Sequence, residues 1–278
     1  MLVDAHHHFW DPATADYPWL TDELAAIRRA FGPADLAPLL ATTGVDATIL
    51  VQTRSSIDET RAFLAAAAAT PFVHGVVGWV DLTAPDVAEA IAALRAGSGG
   101  ERLAGIRHQV HDEPDPDWLC RDDVRRGLRA VGQAGLVYDL LVRARELPAA
   151  LDTVRQLPDV RFVIDHLAKP PLASGELEEW APRIALFGPL QNVACKVSGL
   201  VTEADWATWR AADLRPAVEH ALAVFGPERL LFGSDWPVCL LAASYERVLA
   251  TAQELLADLT AAERDAVFGA NALATYTR

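Results

Sequence analysis

The sequence predicts an α/β fold, a (β/α)8 barrel running over residues 1–278 as one domain. Three observations carry that expectation. Short apolar or β-branched runs recur eight times, segments with helical periodicity separate them, and a chain of 278 residues, 51% hydrophobic and 22% charged, is long and apolar enough to bury such a core.

The first run, LVDAHHH, opens the chain, and ATILVQ, VHGVVGWV and LAGIRHQV follow it. LVYDLLV, VRFVIDH, NVACKVSG and RLLFGSD complete the set, each read as a buried strand. Between them, DETRAFLAAAAA, DVAEAIAALRA, DVRRGLRAVGQA, LPAALDTVRQL, AVEHALAVF and SYERVLATAQELLADL return apolar residues at spacings of three and four, the period of a helix with one buried face. Ser56 with Glu59 and Thr260 with Glu263 have capping-box spacing, and Gly97, Gly135 and Gly226 follow helical runs where a left-handed residue is wanted. One connection is irregular: roughly forty residues separate the first strand from the second. It carries Phe9-Trp10-Asp11-Pro12 and Tyr17-Pro18-Trp19-Leu20, aromatics that either wall a pocket on the catalytic face or pack a small core of their own.

Composition excludes several function classes. With 38 acidic against 24 basic residues the formal charge is −14, and no Lys/Arg block exists to track a phosphate backbone, so nucleic acid is not an expected partner. A locally basic pocket for an anion stays compatible with that balance. Cys120, Cys195 and Cys239 are odd in number, far apart and free of CxxC spacing, which argues against a disulfide framework and a thiolate zinc site and fits a reducing cytosol. The start MLVDAHHHFW lacks a basic segment followed by a long apolar run, and no uncharged stretch nears the roughly 18 residues of a membrane span. A cytoplasmic protein without a membrane partner is expected; the sequence leaves its oligomeric state open.

Three strand ends carry the chemistry. In Asp4-Ala5-His6-His7-His8, alternation puts His6 and His8 on one face and His7 on the other, so two imidazoles point together into the barrel mouth. They can hold a divalent cation or, without one, offer donors and acceptors to a carbonyl and water; the plainer alternative is a pair of core histidines satisfied by backbone. His166 ends the sixth run, where barrel enzymes draw site residues, with Asp165 expected to point away and Lys169 either facing the pocket or, the slightly favoured reading, solvating a helix start. Phe232-Gly233-Ser234-Asp235-Trp236-Pro237 ends the eighth, and Asp235 is the first choice for a catalytic base against a competing role as helix N-cap. Weaker candidates are Arg107, His108, His111, Tyr138, Asp139, Lys196 and Ser198; alternation admits only one of Arg107 and His108, and one of Tyr138 and Asp139, to the barrel axis. His74 and His220 are given no role.

Taken in order, VDAHHHFWDP, GIRHQVHDEPDPDWL, FVIDHLAKP, CKVSGLVTEADW and LLFGSDWPV span nearly the whole chain and resemble the amidohydrolase superfamily, within it the sugar-lactonase group. The resemblance implies a distorted (β/α)8 TIM barrel of amidohydrolase type, with His6, His8, His166 and Asp235 as reaction centre and as ligands of a metal if one is bound. It implies a hydrolase that opens a sugar lactone such as an L-fucono-lactone, chemistry that belongs to carbohydrate metabolism and L-fucose degradation. Unlike binuclear members, the chain has no lysine on its fourth run and no clear histidine on its fifth, so one divalent cation, zinc first, or none is expected. Asp235 would deprotonate the water, the imidazoles would stabilise the oxyanion, and Arg107 or His108, Tyr138, Lys196, Trp10 and Trp236 would bind the sugar hydroxyls. A mononuclear decarboxylase of the same superfamily and a non-catalytic sugar-acid binding protein are the alternatives.

Overall fold

A computed structural model describes residues 1–277. Eight strands form one parallel sheet in chain order: β1 (Val3–His7), β2 (Ala47–Val51), β3 (Val73–Gly78), β4 (Leu103–His108), β5 (Val137–Leu140), β6 (Arg161–Ile164), β7 (Val193–Val197) and β8 (Leu230–Phe232). Every one of the eight expected runs contains a strand. Helices follow in between, among them Ile57–Ala69, Val87–Ala96, Asp122–Gln133, Leu147–Gln156, Ala211–Phe225 and Tyr245–Leu255, giving a distorted (β/α)8 TIM barrel. The sheet closes just past β8. There the Asp235 N–H donates to the His6 carbonyl at 2.8 Å and the His8 N–H to the Trp236 carbonyl at 2.7 Å, so the closing backbone is the one that carries the candidate base.

Register decides which side chains face inward. Across β4, β5 and β6, Arg107, Asp139 and Val163 are partners on one face, while Ile106, Tyr138 and Phe162 share the other. Val77, Val137, Val163 and Leu231 pack with Ala5 and Ile49 in the interior, and Tyr276 of the last helix, Asn271–Tyr276, joins them from the N-terminal end of the strands. Above this aliphatic layer stand Arg107, Asp139, Asp165, Lys196 and His6, each at most 3% exposed. Buried charges are tolerable only when paired, and these are.

Strand β1 departs from simple alternation. Asp4 pairs with Thr48 and His7 with Leu50, three steps on β1 against two on β2, so the bulge sends both Ala5 and His6 inward before His7 turns out to bond Thr48 at 2.8 Å. At the helix ends, Thr260 and Glu263 form a full capping box. At Ser56 only half forms, because the Glu59 carboxylate goes to Thr53 and Arg54 instead. Gly135 and Gly226 have left-handed φ as expected; Gly97 does not (φ −81°), its N–H closing a tight turn onto Leu94, and Gly99 (φ 70°) supplies the left-handed residue. Among the described residues no helix is long and apolar enough to cross a membrane.

Candidate active site

The site is assembled from β1, the turn after β6 and the segment after β8. His6 and His8 lie with ring centroids 4.9 Å apart, and His6 and His166 4.4 Å apart. Asp235 Oδ1 is 3.3 Å from His8 Nε2, 3.8 Å from His6 Nε2 and 4.0 Å from His166 Nε2. Four groups from three distant stretches of sequence thus share one locus.

Local backbone places each of them. After β6, alternation would turn Asp165 inward and His166 out. Instead His166, Leu167, Ala168 and Lys169 all have left-handed φ (52–58°), a turn closed by Lys169 N–H on the His166 carbonyl at 2.8 Å. Left-handed conformation costs a non-glycine residue about 1–2 kcal/mol, and strain of this kind concentrates at functional sites. The turn brings His166 back over the mouth while Asp165 stays inside, 3.3 Å from His6 Nδ1 and 3.0 Å from Arg107. The expectation that Asp165 points away is therefore corrected. Asp235 also has left-handed φ (58°), and its flank is anchored where the Asp4 carboxylate accepts from Ser234 N–H, Ser234 Oγ and Tyr245 Oη. It caps no helix: Ser244 caps Tyr245–Leu255.

Electrostatics follow from burial. Desolvation drives the His6 pKa well below the ordinary imidazole value and that of His166 down to about 4, so both rings are neutral at pH 7. Burial pushes the Asp235 carboxyl up, but His166 and His8 more than offset it and the group sits below the usual carboxylate range. His8 Nδ1 lies 2.7 Å from the Val51 carbonyl, which can only accept. With the Nδ1 proton given to that carbonyl, Nε2 turns its lone pair toward Asp235 Oδ1, 3.3 Å away, acceptor against acceptor, an arrangement that a cation between them satisfies. Neutral imidazoles and an ionised carboxylate converging in this way are a donor set that fits a divalent cation.

A cavity of about 390 Å³ opens above these groups, with His8, Arg107, His166 and Asp235 at its floor and Trp19, Leu24, Arg143, Lys169 and Glu203 among its walls. A larger cavity of about 540 Å³ beside Met1, Leu2 and Phe268 holds none of these groups, and convergent chemistry rather than size identifies the site.

Several expected substrate contacts lie elsewhere. Tyr138 faces outward from β5, fully buried against Phe162, and Asp139 takes the inward position. His108 likewise turns out, stacked on Trp118 and bonded to Trp79 and Glu113, leaving Arg107 to the cavity. Lys196 is inside the barrel beneath His6, where it meets Asp139 at 2.6 Å. Trp10 donates to the Ile27 carbonyl from behind Trp19, and Trp236 packs among Phe9 and Phe31. These five are corrected: none lines the cavity. Ser198 Oγ lies 2.8 Å from His166 Nδ1, and Lys169 faces the cavity beside Glu203 rather than solvating a helix start. Sequence reasoning missed Arg143 and Glu203; Arg143 closely follows β5, at the end of the strand from which barrels draw site residues.

Comparison with known proteins agrees with this geometry. The chain is 41% identical, over 99% of its length and 96% of the relative's, to an L-fucono-1,5-lactonase of Burkholderia multivorans, and 42% identical over 87% of its length and 82% of the relative's to one of Burkholderia ambifaria. A crystal structure of an amidohydrolase from Burkholderia multivorans with bound zinc superposes with a TM-score of 0.93 at 40% identity, covering 99% of both chains. The family model described as Amidohydrolase matches residues 3–278, and on that extent of match this chain belongs to the amidohydrolase family.

Proposed function

We propose that this chain is a sugar-lactone hydrolase that opens an L-fucono-lactone-like aldonolactone to the sugar acid, the cytosol being its setting. The observation that carries the reading is the convergence of one ionised carboxylate with three imidazoles at the floor of a cavity large enough for a sugar ring. Identity of 41% to a lactonase along the whole chain supports the substrate class, and the decarboxylase and non-catalytic readings are not favoured.

Asp235 takes a proton from water as the water oxygen attacks the lactone carbonyl. His166, tied to Ser198, and His8, tied to the Val51 carbonyl, hold their rings in fixed orientation around that water. The Arg107 guanidinium, on the cavity floor, adds positive charge where the carbonyl oxygen becomes anionic. The ring C–O bond then breaks, and the leaving alkoxide receives the proton held by Asp235. A lactone is an activated ester, so oriented groups each contributing about 2–4 kcal/mol suffice for much of the barrier.

One divalent cation, zinc in first place, would be held by His6, His8, His166 and Asp235, and would supply carbonyl polarisation and a more acidic water. β4 has no lysine and β5 no histidine, which supports one ion over two. Asp235→Asn is expected to abolish opening of L-fucono-lactone with the circular dichroism spectrum unchanged; wild-type turnover in that variant sinks the mechanism. Chelation is expected to lower activity and zinc to restore it, whereas full activity after rigorous stripping decides for chemistry by the side chains alone.

A further inference from the structure

Gln52 stands one residue past the end of β2, is fully buried and does not line the cavity over the site. A buried amide is costly unless its polar groups are matched, and all four of this residue's are. Its N–H donates to the Val77 carbonyl at 2.8 Å and its Nε2 to the Arg54 carbonyl at 3.1 Å. Its side-chain oxygen accepts from Arg107 Nε at 2.9 Å, and its main-chain carbonyl accepts from Arg107 Nη2. Both carbonyls of one residue thus grip one edge of the guanidinium, reaching past β3, which lies between β2 and β4.

Arg107 presents five N–H groups in a rigid plane. Nε and one hydrogen of Nη2 go to Gln52, while Nη1 lies 3.0 Å from Asp165 Oδ2 and 3.2 Å from His6 Nε2. The second hydrogen of Nη2 has no partner among the described residues, and Arg107 is on the cavity floor with His8, His166 and Asp235. The one carboxylate on this guanidinium, Asp165, is shared with Lys196 at 2.9 Å. Gln52 fixes the plane with dipoles alone. A carboxylate in its place would hold the guanidinium as firmly and cancel its charge, whereas an amide holds it and leaves that charge to act on an oxygen in the cavity.

We propose that Gln52 is a positioning residue: it holds the plane of Arg107 so that the unpaired Nη2–H meets the lactone carbonyl oxygen as that oxygen turns anionic. What the donor meets rests on the lactone reading; how the donor is held does not.

The test combines kinetics of lactone opening with spectra of the full chain. Gln52→Met, similar in length and without the acceptor, is expected to lower kcat about tenfold, within the loss that a misplacement of about 1 Å brings. KM is expected to stay within about twofold, because the contact to the oxyanion forms only in the transition state. Arg107→Met is expected to lower kcat about a hundredfold, as loss of an oxyanion donor does, and Gln52→Met added to it is expected to cost nothing further, since Gln52 acts through Arg107. A glutamine needed only for structure would multiply its own loss onto that of Arg107→Met. With ¹⁵N-arginine labelling, wild type is expected to show separate, slowly averaging Nη signals for Arg107, and Gln52→Met to average them faster. Wild-type Nη signals already averaged as in a free side chain, a Gln52→Met kcat equal to wild type, or losses that multiply each overturn the inference. The wild-type spectrum carries the test should Gln52→Met not fold. A wild-type chain that opens no lactone sinks the lactone reading and leaves the spectra to decide whether Gln52 holds Arg107.

Discussion

Gly199 shows how little room the site leaves its own scaffold. It has φ +63°, and a Cβ there would stand 2.5 Å from Nδ1 and 2.8 Å from Cγ of His166. Alanine would meet two penalties: about 1–2 kcal/mol for left-handed backbone, and an overlap relieved only by moving the imidazole. The same ring is held from the other side by Ser198, so it has no neutral direction in which to yield. Gly199→Ala is expected to lower kcat on the lactone roughly a hundredfold, as small misplacements of reacting groups do, and to lower Tm by several degrees. Steady-state kinetics with a melting curve checks both; near-wild-type turnover would mean His166 does not need its observed place. Glycine here is required by two neighbours at once, which no single-residue propensity expresses.

The connection between β1 and β2 divides its aromatics between two tasks, and the sequence left both open. Trp19 and Leu24 line the cavity, whereas Trp10 packs its edge against Trp19 and Phe31 and is 3% exposed. Trp19→Ala is expected to raise KM about tenfold with a smaller change in kcat, because it removes binding shared by ground and transition states. Trp10→Ala is expected instead to destabilise by about 3–5 kcal/mol, seen in the denaturation midpoint. Exchange of these two outcomes would reassign wall and core. All eight strands were legible because strands covered on both faces read as apolar runs, and His6, His8, His166 and Asp235 because they stand where such runs end. The phase of alternation was not legible. An extra residue in β1 and a left-handed turn after β6 each shift it, and an apolar run has no mark to show whether Tyr138 or Asp139 faces the axis. Whether a tryptophan walls a cavity or fills a core depends on partners far along the chain, so Trp10 and Trp19 look alike in sequence.

For the molecule as a whole, buried neutral imidazoles set the response to acid. Desolvation carries His7 and His111 down to about 3 and His166 to about 4, and drives His6 well below 6.5. Each ring stays unprotonated in the folded chain at pH values where the unfolded chain has bound a proton. Stability from these groups is full above pH 6.5 and is lost as pH falls from there toward 4. Asp139 works the other way: burial pushes its carboxyl up to about 6, so the folded state gains as pH falls through that value. Its neighbour Asp165, which Lys196, His6 and Arg107 hold well below the carboxylate range against desolvation, returns that gain only below the ordinary carboxyl range. Near pH 5 each histidine costs about 2 kcal/mol and Asp139 returns about 1, a net loss of several kcal/mol, or on the order of 10 °C in Tm for a chain of this size. Net charge predicts the opposite, since self-repulsion is least at the isoelectric point near 4.9. Melting of chelator-treated protein between pH 7.5 and 4.5 separates the two: Tm is expected to fall steadily below pH 6.5, with a steepness that reports the number of protons taken up on unfolding. A Tm that is flat or rises toward pH 4.9 would mean that these rings are not held neutral, and would take with it the neutral-imidazole basis of the reaction centre.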